Sequence, residues 1–467
     1  MKKILIIILS FGTQFGAYAQ FEDSYTKEQK LWGLTEFWKE VEYNFVYFEK
    51  IGKEKWDSAY MAFALRAMDT PDDFEYFKEL RAFCALLNDG HTNIYYPPQV
   101  QKNITRYSFG DFKLLIERYE NYAVVTHVNE GKKDLLPPGS IIKKVNGVPT
   151  ESYVMENIYP LISSNAEYIR KDLAYTQLLE APIGTEHLLD IERPDGKMVR
   201  ISLENGPSKN ENWFPERNIQ ESLNFELLDD NIGLLSLNSF EDASIMDRFY
   251  TIWPEIVKSE ALIVDLRNNG GGSSDYATEI LQHFSNDTLF YGAKVSTRMH
   301  VPFYKAIGAF IDNPGDTINN PKAKRDYEIA RGTYRLDLGI NGHLVERPIE
   351  RHVVPIVILQ GHKTASAAED FLVYADGQEH MLKLGQPTFA STGQPLYFKI
   401  LDADVRICTK EDTFYDGRKF VGTGIKPDIE ILPRLTDFRT GADAALSKAI
   451  EILRSKPDFK DLKINGM

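Results

Sequence analysis

Apolar residues recur every three or four positions along three stretches near the start of the chain. They are "LWGLTEFWKEVEYNFVYF" (31–48), "WDSAYMAFALRAM" (56–68) and "DDFEYFKELRAFCALL" (72–87). That period predicts amphipathic helices. Asp72 and Asp73, after Pro71, supply the start signal of the third. Between about 105 and 204 the pattern shortens to alternation, in "FKLLIERYE", "YAVVTHV", "SIIKKVNG" and "HLLDIERPDGKMVRISLE". These runs predict short strands, the last a hairpin turning at "RPDG", with one helix over "YVMENIYPLIS" between them. From 231 onward the runs become wholly apolar. "ALIVDLRNNGGGSSDYATEILQHF" and "VVPIVILQGHKTASAAEDFLVYA" each read as a buried strand, a turn and a helix. Two such units predict parallel strands and an α/β core.

These shifts divide the chain into a helical domain (20–104), a small strand-rich domain (105–205), an α/β core (220–435) and a C-terminal helix and tail (436–467). Residues 286–350, rich in Tyr, Arg and Asn, interrupt the core and are too long for an ordinary loop. They read as an insertion beside the site. The length of 467 residues suits two to four domains of ordinary size. Lys2 and Lys3, the apolar stretch Ile4 to Phe11, and small residues ending at Ala19 have the order of a secretory signal peptide, 1–19. That apolar stretch is far shorter than the ~20 residues of a membrane span. The mature chain is therefore expected to be exported, to a periplasm or the medium, without a membrane span.

A net charge of −14 argues against a nucleic-acid partner, which needs a basic footprint. The two cysteines, Cys84 and Cys408, lie in apolar surroundings and read as core thiols. No Cys/His cluster has zinc spacing, so neither metal nor cofactor is expected.

The candidate chemistry sits at the two strand–turn–helix junctions. Ser366 falls where a polar turn becomes a helix, and unpaired amides of a helix start can stabilise an oxyanion. Serine is also among the commonest N-caps, so position alone leaves both roles open. The glycine run 268–272 ("NNGGG") follows the other strand and can present amides as a concave nest. It lacks the spacing of a phosphate loop or a dinucleotide fingerprint.

Taken together, "DLRNNGGG", "TASAAE", an upstream "LNDGHT" and the stretch "PGSIIKKVNG" resemble the C-terminal processing, or tail-specific, peptidases and their tricorn-like relatives. The resemblance spans roughly residues 30–435. The stretch Gly139 to Gly147 resembles a PDZ domain, with Ser140 in place of the usual Asp. The resemblance implies an α/β core of ClpP/crotonase-like parallel-sheet units, an N-terminal helical domain and an inserted PDZ-like domain that takes an extended peptide. It makes Ser366 the nucleophile, maps Glu369 into the same site, and draws oxyanion amides from Gly270 or Gly271 and from Ala367.

The chain departs from that pattern at the base. Where the processing peptidases carry a lysine, "GQPTFASTGQP" retains Thr388 but has Ser391. Lys363 and Lys383 lie nearby in sequence without matching. The tricorn-like branch uses a histidine, and "DGHT" aligns there with His91, ahead of His300, His352 and His362. An ordinary imidazole would give a rate rising through an apparent pKa of about 6 to 7. The acid that orients this histidine in the relatives is replaced by Val421, leaving Glu369, Glu411 and Asp89 as substitutes. The expectation is an exported serine endopeptidase acting on polypeptide tails or unfolded segments, able to form oligomers. The rival is a degenerate homologue that only binds peptides.

Overall fold

The computed structural model describes residues 21–208, 212–217, 221–344, 349–455, 459 and 463. The expected signal peptide lies outside them, as do parts of the linker after 205 and of the C-terminal tail.

The centre is a six-stranded sheet. Leu223–Leu227 pairs antiparallel with Ile232–Leu237, and Ala261–Asp265, Ile356–Gln360, Met381–Gly385 and Ile429–Glu430 follow in parallel. Ala261–Asp265 and Ile356–Gln360 are buried at every residue, which explains their unbroken apolar runs. Leu262, Val264, Ile356 and Ile358 face helices Ser244–Ile256, Ser274–Gln282 and Ala367–Tyr374. Ile263, Val357 and Leu359 face the C-terminal helix, Ala444–Ser455. The period of two in a strand thus separates the two layers.

The strand-rich region forms its own antiparallel sheet. Its order is Met198–Glu204, Glu186–Glu192, Ser140–Val145, Tyr122–Asn129, Phe112–Tyr119 and Ser108–Phe109. The "RPDG" turn closes on a Gly196 N–H to Arg193 carbonyl bond of 2.9 Å, with Gly196 at φ +80°. Helix Thr150–Asn157 falls where a helix was expected. A second helix, Glu167–Thr176, was missed, although Ile169 and Leu173 stand four apart on one face.

The N-terminal helices Lys27–Asn44, Lys53–Met68 and Asp73–Ala85 form as the periodicity predicts. Thr26 caps the first, its Oγ1 accepting from Gln29 N–H, and Asp72 caps the third. Their core is not closed by these helices alone. Ile400, Ala403, Val405, Ile407 and Cys408, from the hairpin Pro395–Ile400/Ala403–Cys408, pack inside it. The interrupting stretch is mostly a long hairpin, Leu289–Arg298 with Arg335–Leu344, carrying helices Pro302–Gly308 and Pro321–Ala330 at its tip. Leu289–Arg298 also pairs with Lys410–Thr413. Cys84 and Cys408 are both free and buried.

If the hairpin completes the helical core, truncating the fully buried Ile407 should be costly. Ile407→Ala is expected to lose about 2–5 kcal/mol of unfolding free energy in urea titrations. A loss under about 1 kcal/mol would show that the helices pack without it.

Candidate active site

Ser366 is held by two interlocked strand–helix turns. Thr364, fully buried, donates its hydroxyl to the Leu266 carbonyl (2.9 Å) and accepts from Gly361 N–H (3.0 Å). Ala365 N–H reaches across to the Asn269 carbonyl at 3.0 Å. The chain then passes through Ser366 at φ +55°, ψ −122°, a conformation that L residues rarely adopt. Holding a residue there costs about 1–3 kcal/mol, and it persists because both neighbouring turns fix it. Ser366 occupies the N-cap position of helix Ala367–Tyr374. Ser366 Oγ lies 3.2 Å from His91 Nε2.

His91 comes from the loop that follows helix Asp73–Ala85, and it is 7% exposed. Its Nδ1 lies 2.6 Å from Ser391 Oγ. With Nδ1 protonated and donating to Ser391, the Nε2 lone pair faces the serine hydroxyl. The partner sought among acids is therefore a hydroxyl. The loop itself is clamped from the strand-rich region. Gly90 N–H donates to Asn165 Oδ1 (2.6 Å), Asn165 Nδ2 donates to Asp89 Oδ1 (2.9 Å), and Ser163 Oγ exchanges hydrogen bonds with the Asp89 backbone. A side chain at Gly90 would stand 2.9 Å from Ser391 Oγ, so only glycine admits the contact.

Burial first, then the charges of Arg406 and Lys410, push the His91 pKa down to about 3. The ordinary value of 6.5 assumed from sequence is thus displaced, because a buried imidazolium loses its hydration. At neutral pH the ring is neutral and ready to accept a proton.

Glu369, beside Ser366, has no exposed surface. Its Oε1 accepts from the Thr388 hydroxyl (2.5 Å) and Ala390 N–H (3.0 Å); its Oε2 accepts from Ser391 N–H (3.0 Å) and Ser366 N–H (3.3 Å). It ties the serine backbone to the loop bearing Ser391 and makes no hydrogen bond to the imidazole. Burial raises its pKa to about 7, against the donors that favour the carboxylate. Asp89 accepts from Thr92 Oγ1 at 2.6 Å, and Glu411 pairs with Arg335 at 3.2 Å. Neither bonds His91, and Val421 is a partly buried packing residue.

The other candidate bases are engaged elsewhere. Lys363 is exposed and pairs with Glu117 (2.9 Å), and Lys383 pairs with Asp376 (3.3 Å). His362 meets Asp172 at 2.5 Å, His300 the Tyr43 carbonyl at 2.8 Å, and His352 Ser259 at 3.2 Å. Among the described residues no group of three His, Cys, Asp or Glu side chains could hold a metal ion. No helix there is long and apolar enough to cross a membrane.

Of the expected oxyanion donors, Gly271 needs revision. Its N–H donates to Asn269 Oδ1 at 2.9 Å, which closes the glycine turn. Among the described residues the Gly270 and Ala367 amides have no acceptor. Gly271 serves by its shape: at φ +105° a Cβ would stand 2.6 Å from Ser366 Cβ and 3.1 Å from Ala367 N. Gly271→Ala is expected to displace the serine and slow its modification by a fluorophosphonate at least about tenfold. An unchanged rate would show that the turn accommodates the methyl.

Residues 231–431, which span the parallel sheet and its turns, match peptidase family S41. Mature CPAF is similar in structure, at 14% identity and TM-score 0.64, covering 94% of this chain and 98% of that one. So is mature CPAF complexed with lactacystin, at 13% and 0.63, covering 94% and 99%. The photosystem II D1 C-terminal processing protease is less alike, at 17% and 0.47, covering 89% and 98%. At these identities the CPAF likeness is one of fold. The sequence match is what assigns the chemistry: the chain carries a peptidase family S41 domain and is a serine-type peptidase.

Proposed function

We propose that the chain is an exported serine endopeptidase whose nucleophile is Ser366 and whose general base is His91, oriented by Ser391. The observation that carries this reading is the line Ser366 Oγ–His91 Nε2–Ser391 Oγ, with separations of 3.2 and 2.6 Å. His91 Nε2 takes the hydroxyl proton as Oγ adds to the scissile carbonyl. The Gly270 and Ala367 amides receive the oxyanion. The imidazolium then returns the proton to the leaving amine, and water hydrolyses the acyl-enzyme by the same route. A base this weak in the resting site gains strength as the reaction proceeds, because the imidazolium forms beside a new negative charge. Glu369 and Thr388 are positioning residues that hold the Ser391 loop.

Export rests on the charged, apolar and small-residue order of the first 19 residues. In the same reading the central sheet is ClpP/crotonase-like and the strand-rich region is a PDZ-like module that presents polypeptide to the serine. Supporting this, the module touches the catalytic turns at three points. Glu117 pairs with Lys363, Asp172 meets His362, and Tyr168 Oη donates to the Thr388 carbonyl at 2.5 Å.

Fluorophosphonate should label the wild type at Ser366 and leave Ser366→Ala unlabelled. His91→Ala is expected to lower peptide hydrolysis by at least about a thousandfold with little change in thermal midpoint. Activity near the wild-type level would remove His91 from the mechanism. Binding of peptide with no hydrolysis by the wild type would leave a binding protein instead.

The neutral imidazole is the active form, so rate is lost as pH falls through the His91 pKa. With that pKa pushed down to about 3, His91 itself should cause no fall in kcat/KM from about pH 8 to about pH 5. An acid limb centred near pH 6.5 that persists in Glu369→Gln, where the neighbouring carboxyl no longer titrates, would mean an ordinary, hydrated imidazole. Ser391→Ala removes the ring's only hydrogen-bond partner among the described residues besides the nucleophile. It is expected to lower kcat about 10- to 100-fold while KM changes little. An equal fall in both would point to a general loss of structure.

A further inference from the structure

A half-open cleft of about 290 Å³ lies where the helical domain, the strand-rich module and the catalytic loops meet, and neither Ser366 nor His91 lines it. Three guanidiniums, Arg81, Arg106 and Arg406, face it against a single lining carboxylate, Glu180. Three positive charges less one negative leave an excess of two.

The existing pairings satisfy Arg106 but leave Arg81 and Arg406 with weak or few acceptors. Arg106 Nε donates to Glu180 Oε2 at 2.6 Å, which occupies that carboxylate. Arg81 reaches Glu180 only at 3.4 Å and Gln177 at 3.3 Å, the outer edge of hydrogen-bond range. Arg406 Nη2 donates to the Gly90 carbonyl at 3.0 Å, while its Nε is buried without a partner among the described residues. That Nε is closed off from the cleft, so an incoming oxyanion would meet the outer nitrogens of Arg406 and Arg81, and a guanidinium is well satisfied by an oxyanion in its plane. The rest of the wall is mixed: Ile94, Ile162 and Phe389 stand beside the charges, together with polar side chains such as Asn93, Ser163 and Gln177.

We propose that this cleft binds a small amphipathic carboxylate, its head on Arg406 and Arg81 and its short apolar tail against Ile94, Ile162 and Phe389. Because Arg406 also holds the Gly90 carbonyl, the ligand would sit one side chain away from the loop that carries His91.

The test uses the full mature chain as Ser366→Ala, so that no ligand is consumed. Binding does not involve the Ser366 hydroxyl, and failure here leaves the peptidase reading untouched. N-acetyl-leucine, N-acetyl-leucinamide and inorganic phosphate are titrated by calorimetry. N-acetyl-leucine is expected to bind, and its uncharged amide at least about tenfold more weakly. Phosphate, lacking the tail, should also be weaker. Arg406→Gln should weaken the carboxylate at least about tenfold, and Arg406→Lys less so. If Arg406→Gln does not fold, Arg106→Gln takes its place, since it leaves Glu180 free to repel the ligand. Equal binding of acid and amide, phosphate binding as tightly as the acid, unchanged affinity in the variants, or no binding would each overturn the proposal.

Discussion

A carboxylate with no access to water organises this site. Glu369 receives hydrogen bonds from the backbone of Ser366, from the backbone of Ala390 and Ser391, and from the Thr388 hydroxyl. Desolvating a carboxylate costs several kcal/mol, and only a full set of donors offsets it. The Glu therefore requires the serine turn and the 388–391 loop to stay in one arrangement. That arrangement sets Ser391 behind His91 and His91 in front of Ser366. Without the tie, the unfavourable backbone of Ser366 would have less to hold it.

The histidine completes the set from the far end of the chain, and two other regions decide where it stands. Helix Asp73–Ala85 delivers the loop, and the hairpin that ends at Cys408 packs into the helical core, with Cys408 N–H bonding Thr92 Oγ1 at 3.1 Å. The segment Ser163–Asn165 of the strand-rich module grips Asp89 and Gly90 from the other side. The imidazole is therefore fixed by parts of all three regions. The same enclosure strips its hydration and lowers its pKa, so rigidity and weak basicity have a single cause. Using a hydroxyl in place of a carboxylate to orient the ring follows from the same geometry. Ser391 fits in the space that Gly90 leaves open, and its backbone is already held by Glu369.

Much of this was legible in the residues themselves. Unbroken apolar runs feeding glycine and small-residue turns fixed the parallel sheet, because a strand buried on both faces cannot afford polar positions. The three-and-four spacing located the N-terminal helices, and Asp72 their third cap. "TASAAE" and "DGHT" pointed to Ser366 and His91 through their resemblance to known peptidases. The second helix of the module, Glu167–Thr176, was missed because its apolar face is narrow and its cap carries no side-chain hydrogen bond. Its contacts with Thr388 and His362 were therefore invisible as well.

What the sequence determined by itself was the set of local elements and the chemically able residues, since periodicity, turn chemistry and residue type act within a few positions of each other. Only the tertiary structure decided their partners. Ser391 meets His91 across 300 positions and Glu369 meets Ser391 across 22, and no local pattern encodes such distances. It also decided that the Gly271 amide closes its own turn and that His91 is a buried, weakly basic ring. Hydrogen-bond pairing and desolvation depend on what the whole fold brings around a group, and neither is a property of the residue or its neighbours in sequence.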